Sequence, residues 1–152
     1  MYWTDQGSNP KIEKAEMTGR KRVVIVNSGL SRPNGLTLDR KRNRLYWLDG
    51  GYRNLEYLDF NQNKRVVLLS NSYNLYYSFG LTILGDYLYW TSNWYSSRGV
   101  YRADKETGNG ITKFISSTGW LRGIRGYNLS EPFTTGKKIN LLYCFPSLVP
   151  LV

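Results

Sequence analysis

Three tetrads, Tyr2-Trp3-Thr4-Asp5, Tyr46-Trp47-Leu48-Asp49 and Tyr89-Trp90-Thr91-Ser92, recur along the chain. Their starts define a period within the ~40–45 residues typical of one blade of a β-propeller. No other feature constrains the fold as tightly. Each tetrad is followed by a polar loop and an alternating strand: Ile12-Glu13-Lys14-Ala15, Leu55-Glu56-Tyr57-Leu58 and Val100-Tyr101-Arg102-Ala103. A turn and a β-branched run come next: Val23-Val24-Ile25-Val26, Val66-Val67-Leu68-Leu69 and Ile111-Thr112-Lys113-Phe114-Ile115. Gly35-Leu36-Thr37-Leu38-Asp39 and Gly80-Leu81-Thr82-Ile83-Leu84 then lead into the next tetrads, and the third unit ends in Gly123-Ile124-Arg125-Gly126-Tyr127.

One unit therefore holds four short strands separated by Gly, Asn and Asp turns. No segment sustains a period near 3.6, which predicts an all-β chain with essentially no helix. A four-stranded sheet cannot bury both faces alone, so neighbouring blades must do it. The Trp and Tyr of the tetrads (Tyr2, Trp3, Tyr46, Trp47, Tyr89, Trp90) are assigned to that inter-blade core.

Composition excludes several function classes. There is no His and a single cysteine, Cys144. His-based catalysis, zinc sites and an internal disulfide framework are thus ruled out, and the sequence calls for neither metal nor cofactor. Asp5 and Asp49 recur with the repeat, which points to structural work, binding backbone amides or an Arg, rather than catalysis. No apolar run is long enough for a transmembrane helix. Met1 is followed at once by a core strand, with no signal peptide. A chain that begins inside a repeat is expected to be part of a larger domain.

Lys and Arg number 21 against 11 Asp and Glu. Much of the excess falls in turns on one rim: Arg20-Lys21-Arg22, Arg40-Lys41-Arg42-Asn43-Arg44 and Lys64-Arg65. Such a rim is either a set of solvated turns or a docking surface for polyanions such as sulfated glycans. Nucleic acid is not indicated, because no aromatic platform interleaves the charges.

The tetrads, with Ile12-Glu13-Lys14-Ala15-Glu16-Met17-Thr18-Gly19 and Arg32-Pro33-Asn34-Gly35-Leu36-Thr37-Leu38-Asp39 after them, resemble the low-density-lipoprotein-receptor class B (YWTD) repeat. The likeness is strongest to receptor-related proteins of the Wnt co-receptor and agrin-receptor type, and covers about residues 1–130. It implies about three four-stranded blades of a six-bladed propeller, an incomplete arc made of the last three repeats. Leu121 to Tyr127 resemble the family's closing strand, which completes the blade begun by the N-terminal strands. In place of a following cysteine-rich module, residues 131–152 read as an apolar tail, disordered or non-native.

The resemblance also implies function. It suggests a non-enzymatic, extracellular propeller fragment of a membrane-anchored receptor, in Wnt-type signalling or endocytosis, that binds protein or peptide ligands through one loop face. A nidogen-like matrix module is the alternative. The family's ligand positions map to Arg32, Asn34, Tyr77, Phe79, Trp94, Trp120 and Arg122; at each, the side chain either meets a ligand or packs a loop. Asn128-Leu129-Ser130 is an N-glycosylation sequon, which suits the extracellular side of the plasma membrane. Two departures bear on the site. Gln6 stands where the family has a second Trp, and Ser92 replaces the tetrad Asp, which puts the Asp-mediated tie of that blade in question.

Overall fold

The computed structural model describes residues 1–96, 98–129 and 139–146; from residue 127 onward only the backbone is described. The first blade holds β1 (Tyr2–Asp5), β2 (Lys11–Lys14) and β3 (Val23–Val26), in the order β1-β2-β3. The second is β4 (Pro33–Asp39), β5 (Arg44–Asp49), β6 (Asn54–Asp59) and β7 (Lys64–Leu69). The third is β8 (Ser78–Leu84), β9 (Tyr87–Ser92), β10 (Gly99–Asp104) and β11 (Thr112–Ser116). Each is an antiparallel meander. Among the described residues the only helical turn is a 3-10 turn at Tyr73–Leu75. The all-β reading holds: the molecule is an unclosed arc of propeller blades.

Alternation along the tetrad strand explains the core. Leu45 and Trp47 face the first blade and pack with Ile12, Val26 and Leu58. Tyr46 and Leu48 face the other way, against Leu81, Leu88 and Trp90 of the third blade. Tyr89 in turn packs with Val100, Leu121 and Ile124. The Tyr and Trp of one tetrad thus serve opposite inter-blade interfaces, as a period-2 strand requires. Trp3, whose face meets no blade among the described residues, is only half-buried.

The inner strands approach so closely that a side chain is excluded. A Cβ on Gly35 would lie 2.2 Å from the Phe79 carbonyl oxygen, and one on Gly80 would lie 2.7 Å from that of Arg122. Turns are set by Asp. Asp39 accepts the amides of Lys41 and Arg42, Asp59 those of Asn61 and Gln62, and Asp104 those of Glu106 and Thr107. Such Asx turns fix the reversal locally.

A second recurring device staples the blades from outside. Buried Glu13 takes two bonds from Arg22, at 2.8 and 2.6 Å, and Arg22 lies 5.2 Å over Trp3. Buried Glu56 takes Arg65 at 2.6 Å, and Arg65 lies 5.4 Å over Trp47. Arg65 also donates to the Ser28 and Gly29 carbonyls of the first blade. In the third blade Tyr101 takes the place of the Glu and stacks on Trp90 at 5.9 Å.

After residue 120 the structure departs from the expectation. β12 (Leu121–Leu129) packs on β8 as an inner strand but does not join β1. It pairs instead with β13 (Ile139–Pro146), a strand within the segment expected to be structureless. The reason is local: Ile139 to Phe145 is a β-prone run of apolar and aromatic residues, and β12 offers it an edge. Of Asn128 only the backbone is described, opposite Asn140, and Ser130 of the sequon lies outside the described residues.

Candidate functional site

The site is built where tetrad strands end. Asp49, fully buried, accepts the amides of Ser31 at 2.7 Å, Arg32 at 3.1 Å, and Gly51 and Tyr52 at 2.9 Å each. Four amides engage this carboxylate in structural bonds, and those of Ser31 and Arg32 pin the loop that leads into β4. The start of β4 presents Asn34, whose Nδ2 donates to the Ser78 carbonyl at 2.5 Å and whose Oδ1 accepts from Gln6 Nε2. One side chain therefore links all three blades. Around it Gln6, Arg32, Asn34, Gly50, Tyr76, Tyr77 and Phe79 line a depression of about 190 Å³.

An aromatic shelf continues from the depression. Tyr77 stacks on Trp94 at 6.0 Å and 8°, Tyr76 meets Trp94 at 4.5 Å, and Arg53 lies 4.9 Å over Tyr76 and 5.6 Å over Tyr73. Tyr77 sits at φ 47°, a left-handed conformation that is costly for an aromatic residue. It is nonetheless 45 % exposed. An aromatic side chain held in strain with its ring in solvent is a feature of binding surfaces more than of cores.

In the third blade the missing tetrad Asp is replaced by an amide. Asn93 Nδ2 donates to the Leu121 carbonyl at 2.5 Å, and the Leu121 amide donates to Asn93 Oδ1 at 2.7 Å. Ser92 Oγ donates to the Tyr76 carbonyl at 2.9 Å. The loop is tied, by a different residue from the one at Asp49.

Of the residues mapped from sequence, Arg32, Asn34, Tyr77 and Phe79 come together in the depression. Trp94 flanks it through Tyr77, and Arg122 lies 5.6 Å over Phe79. Trp120 does not line it; this residue sits 5.1 Å from the Arg98 guanidinium. Sequence reasoning missed Arg53 and the bridging role of Gln6, although the unusual residue after Asp5 was the available signal. Arg32 is the lining's one charged group, beside amides and aromatics, which favours an acidic or amide-bearing peptide over a cation.

The opposite rim is largely neutralised. Arg42 and Arg44 reach Glu106 at 2.7 and 2.9 Å, and Arg44 also pairs with Asp59 at 2.9 Å. Lys21 pairs with Glu16 at 2.5 Å. Burial pushes the Asp39 carboxyl up, but Lys105 and the amides of Arg42 and Lys41 outweigh it and hold this group below its ordinary 3.8. Arg44, helped by the Gln62 and Asn61 amides, holds Asp59 down as well. Among the described residues no three His, Cys, Asp or Glu side chains gather to hold a metal, and no helix is long and apolar enough to cross a membrane.

Residues 1–40 match the family model described as low-density lipoprotein receptor repeat class B. The chain is 36 % identical over 130 residues to the human low-density lipoprotein receptor-related protein 5-like protein, covering 86 % of this chain and 50 % of that one. The chain belongs to the low-density lipoprotein receptor class B repeat family. Human low-density lipoprotein receptor-related protein 5 is 44 % identical and the mouse protein 45 %, each over 125 residues, 82 % of this chain and 8 % of theirs. A solved nidogen/laminin complex contains a chain that matches with a TM-score of 0.66 and 32 % identity, over 82 % of this chain and 46 % of that one. This class B repeat chain thus spans half or less of the relatives it matches.

Proposed function

We propose that this chain is the ligand-binding part of an extracellular, receptor-related propeller, with no catalytic role, that captures a peptide loop of a protein ligand in the depression around Asn34. The observation that carries this reading is the convergence of Arg32, Asn34, Tyr77 and Phe79 on one depression next to the exposed, strained Tyr77–Trp94 stack. Aromatic residues with Arg on a pinned loop face are the composition of interface hot spots. Residues 1–130 form the binding arc, and the ligand class is an extracellular protein or peptide of the kind receptor-related proteins take up or signal through.

Selection of a constrained-peptide library on the immobilised full chain tests the reading. Selected peptides should lose at least tenfold in affinity to the Asn34→Ala and Trp94→Ala chains and keep it for Lys64→Ala on the opposite rim. Peptides indifferent to both substitutions would remove this face from the site. The likeness to a chain of a nidogen/laminin complex supports a second reading, a matrix module; solid-phase binding of laminin, lost in the same two variants, would favour it. The rim offers sulfated glycans only Arg40, Lys41 and Lys64 without an ion pair among the described residues, so heparin affinity should be weak.

A further inference from the structure

β13 does more than cover an edge, because its register on β12 is that of a tetrad strand. In the second blade Leu36 lies opposite Trp47 and Pro33 opposite Asp49, with the pairing shifted by an irregularity between them. In the third blade Leu81 lies opposite Trp90 and Ser78 opposite Ser92, again with the shift between. On β12, Ile124 lies opposite Cys144 and Leu121 opposite Pro146, with the shift once more in that interval. Leu142-Tyr143-Cys144-Phe145-Pro146 therefore occupies the slots of Leu45-Tyr46-Trp47-Leu48-Asp49 and Leu88-Tyr89-Trp90-Thr91-Ser92. The Leu-Tyr pair is common to all three; the Trp is replaced by Cys and the last position by Pro.

The strand that β13 imitates has a counterpart elsewhere in the chain. β1 carries the first tetrad and is the edge strand of its sheet among the described residues, where β5 and β9 each have an inner strand beside them. β12 is an inner strand by its packing on β8: a Cβ on Gly80 would meet the Arg122 and Ile124 backbone at 2.7 Å, as one on Gly35 would meet Phe79 and Leu81 at 2.2 and 2.7 Å. A β12 from one copy and a β1 from another complete one four-stranded blade. Two arcs joined twice in this way form a closed two-fold ring.

We propose that β13 is a built-in cap: it fills the tetrad slot on β12 and so keeps β1 of a second copy off that edge. The cap is the poorer strand by sequence, since Cys carries less apolar surface than the Trp at the matching position of the tetrads. It prevails by tethering. Only residues 130–138 separate it from β12, and a linker of that length gives an effective concentration on the order of millimolar. A second copy at micromolar concentration cannot match it. Weakening the cap therefore turns a single arc into a symmetric pair.

The test uses the full chain. Ile124→Cys places a thiol directly opposite Cys144, at a separation that a disulfide spans on either kind of antiparallel pair. Oxidation should consume both thiols within one chain; two free thiols, or only intermolecular cross-links, would overturn the register. Leu142→Pro and Tyr143→Pro each break the cap, one of them at a ladder amide. Light scattering at micromolar concentration should give the wild-type chain at 17.6 kDa and the proline variants at twice that mass. A dimeric wild-type chain, or proline variants that keep their β-sheet circular dichroism and stay single, overturns the proposal. If the proline variants unfold, the Ile124→Cys chain decides. Raised to hundreds of micromolar, it should pair when reduced and stay single when oxidised; equal association in both states overturns the cap.

Discussion

Lys105 Nζ lies 3.1 Å from Asp39 Oδ2, and both side chains are almost wholly withdrawn from solvent. Lys105 comes from the turn after β10 and Asp39 from the end of β4, so this pair clamps the third blade to the second. The ammonium also donates to the Gly85 carbonyl at 3.0 Å. Removing one partner leaves the other charge buried, so Lys105→Met should cost about 3–5 kcal/mol in urea unfolding. Lys105→Met with Asp39→Leu should cost clearly less than Lys105→Met alone. A double variant no better than the single would show that the clamp is not electrostatic.

Gly35→Ala should be among the most damaging small substitutions in the chain. Its methyl would meet the Phe79 carbonyl oxygen at 2.2 Å and the Leu81 nitrogen at 2.7 Å. Backbone on both sides cannot rotate away as a side chain can, and overpacking of this kind costs about 3 kcal/mol or more. Gly119→Ala, which meets nothing within 4 Å, is the matched control. Thermal unfolding of the two variants side by side makes the comparison.

Acid should loosen the arc through a small set of carboxylates. Arg22 holds Glu13 below 4.5; Lys105 and two amides hold Asp39 below 3.8, and Arg44 holds Asp59 below 3.8. A carboxylate depressed in the folded state stabilises above its unfolded value and loses that contribution as pH falls through its folded value. Stability should therefore be level from pH 7 to about 5 and fall steadily toward pH 3. Urea midpoints across that range check it, and the drop should shrink in Arg44→Met, which frees Asp59 from its main partner.

Tyr77→Gly should separate stability from binding. Relief of a left-handed conformation recovers about 1–2 kcal/mol, while loss of the stack on Trp94 removes about 0.5–1.5 kcal/mol. The two nearly cancel, so the unfolding midpoint should hardly move. Peptide capture by the loop face should fall sharply all the same. A midpoint that drops by several degrees would place Tyr77 among the packing residues instead.

The blade architecture was open to reading because its causes are local. The strand alternation, the Asp-led turns and the tetrads all lie within a few residues of the structure they produce. Half of the site was legible for the same reason: Arg32 and Asn34 sit at a fixed offset from the repeat. Gln6 was not, since its role joins residues brought together only by the curvature of the arc, Gln6 to Asn34 across 28 positions and Asn34 in turn to Ser78 across 44. The partner of β12 was hidden for another reason. The strand from Ile139 lacks the Trp, stands off the repeat period, and resembles a tetrad only once paired.

Opposed facing of Tyr46 and Trp47 has a thermodynamic consequence. Because one strand supplies side chains to both of its neighbouring interfaces, melting the second or the third blade strips two junctions at once. Blades so coupled behave less like beads on a string than like links whose nearest-neighbour terms dominate. A probe in the first blade and a probe in the third should therefore report the same transition, with a calorimetric enthalpy equal to the van't Hoff value. Coincident transitions would give the described arc cooperativity without closure.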